Sequence, residues 1–170
     1  MIPTIRALVV SGLLVAAPVA GADENYVVVD QGQLAPYWTS IGNLRGPHFP
    51  KSAIRNRVEA CIAVGYSIEP DGKPAHVSVL RSKGNRAADD DDMKKIAAAA
   101  LDSVSRWRYE AAQGNPERKA VYTYATVSMA LSNTTTTPAV ARNHALSVEH
   151  SCDIADFVAA VARGEFSSGK

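Results

Sequence analysis

Two cysteines, four histidines and a run of aspartates are the residues of this 170-residue chain best suited to chemistry. His48, His76, His144 and His150 do not fall at metal-ligand spacings, and His150-Ser151-Cys152 brings only two ligands together, too few for a zinc site. Asp89-Asp90-Asp91-Asp92 has the charge to hold calcium. An EF-hand, however, needs spaced acids, a central Gly and a closing Glu, and these are missing in that order. Acids directly before an amphipathic run instead cap a helix and complement its dipole. His76 and Asp71 flank a turn without a third partner. The sequence contains no Gly-x-Ser-x-Gly, no His-Glu-x-x-His and no phosphate-binding Gly loop. These patterns predict no catalytic residues, no metal and no cofactor; the chain reads as a non-enzyme.

Cys61 and Cys152 depend on the compartment, and the N-terminus bears on that. Residues 1–22 carry Arg6, an apolar run over 7–19 interrupted by Ser11, Gly12 and Pro18, and the small residues Ala20-Gly21-Ala22 before Asp23. That is the layout of a secretory signal. About 13 apolar residues also fall short of the roughly 20 that span a bilayer. An uncleaved anchor is the alternative. In an exported chain an even pair of cysteines favours a disulfide over a metal site or a reactive thiol.

The composition is that of one ordinary globular domain with short extensions: 46% hydrophobic and 21% charged. With 18 basic and 17 acidic side chains, the net charge is +1. No whole-molecule field draws the chain to nucleic acid or an anionic membrane, so membrane contact is expected only if the N-terminal segment stays uncleaved.

Around these residues the pattern predicts a run of elements. Tyr26-Val27-Val28-Val29 is strand-like. Pro50 opens a short helix in which Ala53, Ile54 and Val58 can face inward. Residues 60–69 alternate, with Ile62, Val64, Tyr66 and Ile68 on one side and Cys61, Ala63 and Gly65 on the other. Pro70-Asp71-Gly72 is a turn, and Val77 and Val79 mark the returning strand. Met93, Ile96, Ala97, Ala100, Leu101, Val104 and Trp107 form a helical stripe ending near Tyr109. A long strand follows over 120–131, with Val127 and Met129 on one face and Tyr122, Tyr124, Thr126 and Ser128 on the other. Residues 133–148 read as a linker; Val148, Cys152, Ala155, Val158 or Ala159, and Ala162 recur at helical spacing, so 149–163 reads as a second amphipathic helix.

The order helix, strand, Pro-Asp-Gly turn, strand, helix closing on Trp, long strand resembles the TonB C-terminal domain family. Phe49-Pro50 with Ala53, Ile62-x-Val64-x-Tyr66-x-Ile68 into Pro70-Asp71-Gly72, Val77-x-Val79, and Val104-x-x-Trp107-Arg108-Tyr109 carry the resemblance, which covers about 47–131. Ala60 stands where the family usually has Gly, and Glu110-Ala111 where a Pro is common. The resemblance implies an α+β fold, a three-stranded antiparallel sheet with two helices on one face, here with an extra C-terminal helix. The expected organisation is a signal at 1–22, an extension at 23–46, the domain at 47–132, a linker at 133–148, and a helix with tail at 149–170. The expected core is Ile54, Ile62, Val64, Tyr66, Ile68, Val77, Val79, Ile96, Ala100, Leu101, Val104, Trp107, Val127 and Met129.

The resemblance further implies a periplasmic protein in energy-dependent transport across the outer membrane. Its partner would be the short N-terminal box of an outer-membrane receptor, or another envelope protein, taken up as an added strand. The long strand is the expected edge, with Tyr122, Tyr124, Thr126 and Ser128 as partner-binding residues; the alternative is that the tyrosines pack on the extra segments. A free-standing periplasmic interaction module without energy transduction is the other functional reading, and a homodimer is left open. Cys61 projects from the sheet face opposite the helices, so a Cys61–Cys152 disulfide is expected to pin the C-terminal helix over that face; the rival reading is two unpaired small apolar thiols.

Overall fold

The computed structural model describes residues 26–42, 44, 46–131 and 138–167. The signal reading at 1–22 and the polar run at 132–137 lie outside the described residues. In chain order the elements are β1 (Val27–Val28), a 3-10 turn (Gln31–Gln33), β2 (Trp38–Ser40), α1 (Lys51–Arg55), β3 (Ala60–Ile68), β4 (Pro74–Gly84), α2 (Asp90–Ser105), β5 (Tyr109–Ala111), β6 (Val121–Met129), α3 (Pro138–His150) and α4 (Phe157–Ala162). Among the described residues no helix is long and apolar enough to cross a membrane.

The class is α+β, and the sheet order is β1-β6-β3-β4. β3 is antiparallel to both β4 and β6, giving the expected three strands. Two additions accompany these three strands: the strand-like run at 26–29, whose place in the sheet the pattern did not give, and a small pair that left no pattern. β1 joins as a short fourth strand, parallel to β6 through Val27↔Val121 and Val28↔Tyr122. β2 and β5 pair separately, Trp38 opposite Ala111. The β3–β4 turn depends on Gly72, whose φ is +79° and where a Cβ would sit 2.1 Å from the Tyr109 carbonyl oxygen. Gly72→Ala is therefore expected to cost more than the roughly 1–2 kcal/mol of a left-handed φ alone. Urea unfolding of the variant beside the parent checks this.

The two faces of the sheet bury different sets. Ile62, Val64, Tyr66 and Ile68 join Ala53, Ile96, Ala100 and Val104 beneath α1 and α2. Cys61, Ala63, Tyr122 and Tyr124 join Cys152, Ile154 and Phe157 on the opposite face. Gly65 allows this second layer to close, since a Cβ there would lie 2.8 Å from the Tyr122 hydroxyl and 2.9 Å from Leu80. The acidic run does cap α2: the Asp92 N–H donates to the Asp89 carboxylate at 2.7 Å. Asp92 is itself buried and accepts from Asn56 at 2.8 Å. Hydrogen bonds from Asn56 and Ser52 hold its carboxyl below the usual range. Its contribution to stability is present above the unfolded carboxylate pKa of about 4 and is lost as pH falls through the lowered native value.

Four expectations change. Ile54 is 48% exposed, because α1 is only five residues long and the left-handed Arg57 (φ 54°) turns Val58 into the core in its place. Val79 is 39% exposed: β4 is an outer strand, and its register slips twice, around Leu80 and around the left-handed His76. The helix expected to end near Tyr109 stops at Ser105, and Tyr109 belongs to β5. Finally, residues 138–150 are helical where a linker was expected through 148, and the helix expected over 149–163 is broken at 151–156. Asp156 (φ 52°) caps α4 by accepting from the Ala159 N–H, a start signal inside the expected helix. The buried set there becomes Cys152, Ile154, Phe157 and Ala160, leaving Val158 37% exposed.

Candidate binding edge and aromatic cavity

β6 lies between β3 and the short β1; among the described residues no strand lies beside the rest of its outer side, although α3 and the 3-10 turn also pack against β6. Both residues of an antiparallel hydrogen-bonded pair exchange their N–H and C=O on one side, and the sides alternate along the strand. The Tyr122 carbonyl accepts from Val29 N–H at 3.1 Å, which places the even-numbered backbone groups on the outer side. β1 covers Tyr122, and the chain then leaves the edge at Asp30, whose carboxylate accepts from the Phe157 N–H at 3.2 Å. The outward groups of Tyr124, Thr126 and Ser128 make no backbone bond among the described residues.

The side chains of those four residues point to the Cys61 face. Tyr122 is fully buried, 5.5 Å from Phe157 ring to ring, and donates to the Ser167 carbonyl. Tyr124 is 7% exposed, 4.9 Å from the Phe157 ring, and its hydroxyl bonds to the Ile154 carbonyl at 3.4 Å. Thr126 and Ser128 are half-buried, with Thr126 donating to Asp153. Of the two readings for the tyrosines, the structure shows packing on the C-terminal segment. Cys61 and Cys152 are joined in a disulfide, Cα atoms 5.9 Å apart, and this fixes the segment over the sheet. His150, adjacent in sequence, pairs with Asp153 at 2.6 Å.

On the other face, beside Ala125 and Thr126, lies a cavity of about 500 Å³. Leu34, Trp38, Thr39 and Leu44 of the extension supply one wall; Tyr66, Trp107 and Tyr109 supply the other. Trp38 is seated by its indole N–H donating to the Lys119 carbonyl at 3.1 Å, next to buried Asn115, which donates to the Tyr37 and Lys119 carbonyls. Tyr66 stacks on Tyr109 and meets Trp107 edge-on at 5.8 Å. The two phenols share a 2.9 Å hydrogen bond. Burial pushes the Tyr109 phenol up to about 12 and raises Tyr66 well above its ordinary value, so both are neutral at physiological pH. Sequence reasoning missed this cavity. Tyr66 and Trp107 stood in the core stripe, but nothing in the pattern indicated that Trp38 would come to lie beside them.

The family model for the Gram-negative bacterial TonB protein C-terminal matches residues 45–130, just over half of the chain. The chain belongs to that family, whose domains are non-enzymatic, act in the periplasm and take part in envelope energy transduction. The chain is similar to the solution structure of the Pseudomonas aeruginosa TonB C-terminal domain, with 15% identity and a TM-score of 0.43 over 62% of this chain and 95% of that one. It is also similar to the Helicobacter pylori TonB C-terminal domain, with 17% identity and a TM-score of 0.30 over 51% and 71%. No curated protein matches the chain.

Proposed function

We propose that this is an exported, TonB-like periplasmic protein that binds its partner by strand addition to the outer side of β6, in energy-dependent transport across the outer membrane. The observation that carries the reading is the row of outward backbone groups at Tyr124, Thr126 and Ser128, beyond the end of the β1 ladder. An unpaired strand side is a template for another extended chain, and the ladder supplies affinity. The opposite edge is less suited. β4 carries two register slips, the left-handed His76, and Arg81 and Lys83 along its length, devices that blunt a strand edge. β6 over 121–129 carries no charge. Family membership supports an outer-membrane receptor as the partner, through its short N-terminal box. Tyr124, Thr126 and Ser128 contribute backbone to this site; Tyr122 is already taken up by β1, and its side chain joins theirs in the layer behind the strand.

The test is titration of the full-length exported protein with synthetic peptides spanning the N-terminal periplasmic segments of outer-membrane receptors from the same cell. Thr126→Pro and Ser128→Pro each remove one outward donor without touching the β3 ladder. Each is expected to weaken binding about fivefold, the equivalent of one hydrogen bond of ~1 kcal/mol. Unchanged affinity in both variants, with native circular dichroism, would exclude this edge. In the free-standing module reading the same edge serves without energy transduction. The mass of the mature protein, with or without residues 1–22, separates a free from an anchored form.

A further inference from the structure

The cavity beside β6 is a feature of this chain's own extension: Leu34, Trp38 and Leu44 all precede the family-matched residues 45–130. Three observations define what it accepts. Among the described residues its lining carries no charged side chain, so a charged group entering it would be desolvated without compensation. Its volume of about 500 Å³ lies within the range of roughly 300–1,000 Å³ typical of ligand sites, and its floor is aromatic. The Tyr66 and Tyr109 hydroxyls carry two hydrogens, and their mutual bond uses one. The second has no acceptor among the described residues, although both side chains are more than nine-tenths buried.

The cavity is also continuous with the binding edge, since Ala125 and Thr126 belong to both. Ala125 faces the helix side of the sheet, paired with Val64. In a strand laid along β6, the residue opposite Ala125 projects to that same side, and its two neighbours project to the other. One side chain of the added strand is thus directed at the cavity.

We propose that this cavity is the subsite for an uncharged aromatic side chain of the added strand, a tyrosine-like ring that extends the Tyr66–Trp107 cluster and whose oxygen accepts the spare phenolic hydrogen. Ring–ring packing and burial favour an aromatic over an aliphatic group, because an aromatic residue buries roughly 150–250 Å² and prefers edge or offset contacts with other rings. The assignment rests on the reading of β6 as the docking edge, and the experiment separates the two.

The probes are acetyl-Ser-Thr-Val-Tyr-Val-amide, which with Tyr opposite Ala125 in antiparallel pairing spans only positions 124–128, and its analogues with Ala or Glu in place of Tyr, titrated calorimetrically into the full-length, disulfide-bonded protein. The Tyr peptide is expected to bind at least tenfold more tightly than the Ala peptide, and the Glu peptide no better than the Ala peptide. Ala35 is an exposed residue that also lines the cavity, and Ala35→Phe occupies that space from the extension wall. In that variant the Tyr peptide drops to the affinity of the Ala peptide, which itself is unchanged. Equal binding of the Tyr and Ala peptides to the parent overturns the subsite while leaving strand addition standing. If neither peptide binds, the docking edge fails, and the cavity is read separately with millimolar N-acetyl-tyrosinamide. Shifts of the Trp38 and Trp107 indole N–H resonances that vanish in Ala35→Phe support the aromatic site; no shifts overturn it.

Discussion

Reduction of the Cys61–Cys152 bridge, or Cys61→Ala with Cys152→Ala, is expected to lower the unfolding free energy by about 4–5 kcal/mol as an upper value. The bridge closes a loop across 91 positions, and the chain-entropy relation gives that figure for a loop of this length. Against a typical total of about 5–15 kcal/mol this is a large share. The loss has a location. The layer beneath α1 and α2 contains neither cysteine, so it is expected to outlast the layer of Cys152, Ile154 and Phe157. Guanidinium unfolding with and without reductant measures the magnitude. Hydrogen exchange of the reduced protein checks the order, with protection expected to fall first over 152–162 and last in β3. Equal loss in both layers would show that the C-terminal segment is part of one cooperative core.

Phe157→Ala is expected to cost about 3–5 kcal/mol, the usual range for emptying a fully buried aromatic site. The Phe157 ring is fully buried and lies 5.5 Å from Tyr122, 4.9 Å from Tyr124 and 6.1 Å from Phe166. Its removal leaves three rings without their common neighbour. Near-ultraviolet circular dichroism is expected to lose the tyrosine signal of this layer while the far-ultraviolet spectrum is retained. Combined with the double cysteine variant, the effects are expected to sum to less than the separate losses, because both changes release the same segment. Full additivity, measured by denaturant unfolding, would show that ring and bridge act independently.

Some of this architecture is written in the order of residues. Alternation over 60–68 assigns Ile62 and Cys61 to opposite faces, because successive side chains of a strand must point in opposite directions. The stripe through Ile96, Ala100 and Val104 fixes which side of α2 is buried, and the acidic run before Met93 announces a capped start, although the helix already begins at Asp90, inside that run. From these two periods follow the helix-covered layer and the placement of Cys61 on the other one. The pairing with Cys152 follows from the need to cover that second face. The two periods are local rules, legible from neighbours at most four positions away.

The rest was decided by contacts between residues far apart in the chain. Whether Ile54 or Val58 entered the core depended on a left-handed turn at Arg57, and the exposure of Val79 on two slips against β3, neither of which a regular period encodes. β1 is two residues long and acquires its meaning only by lying parallel on β6. Tyr122 and Tyr124 alternate as they would in any strand; only the arrival of Phe157 from more than thirty positions away made their rings part of a closed layer. Trp38 meets Tyr66 and Tyr109 because β2 pairs with β5, a ladder too short to leave a pattern in the sequence. Periodicity determines which side of an element is apolar. What meets that side is a long-range choice, made by the packing of the chain, and here it decided both where the β1 ladder on β6 ends and the cavity beside that strand.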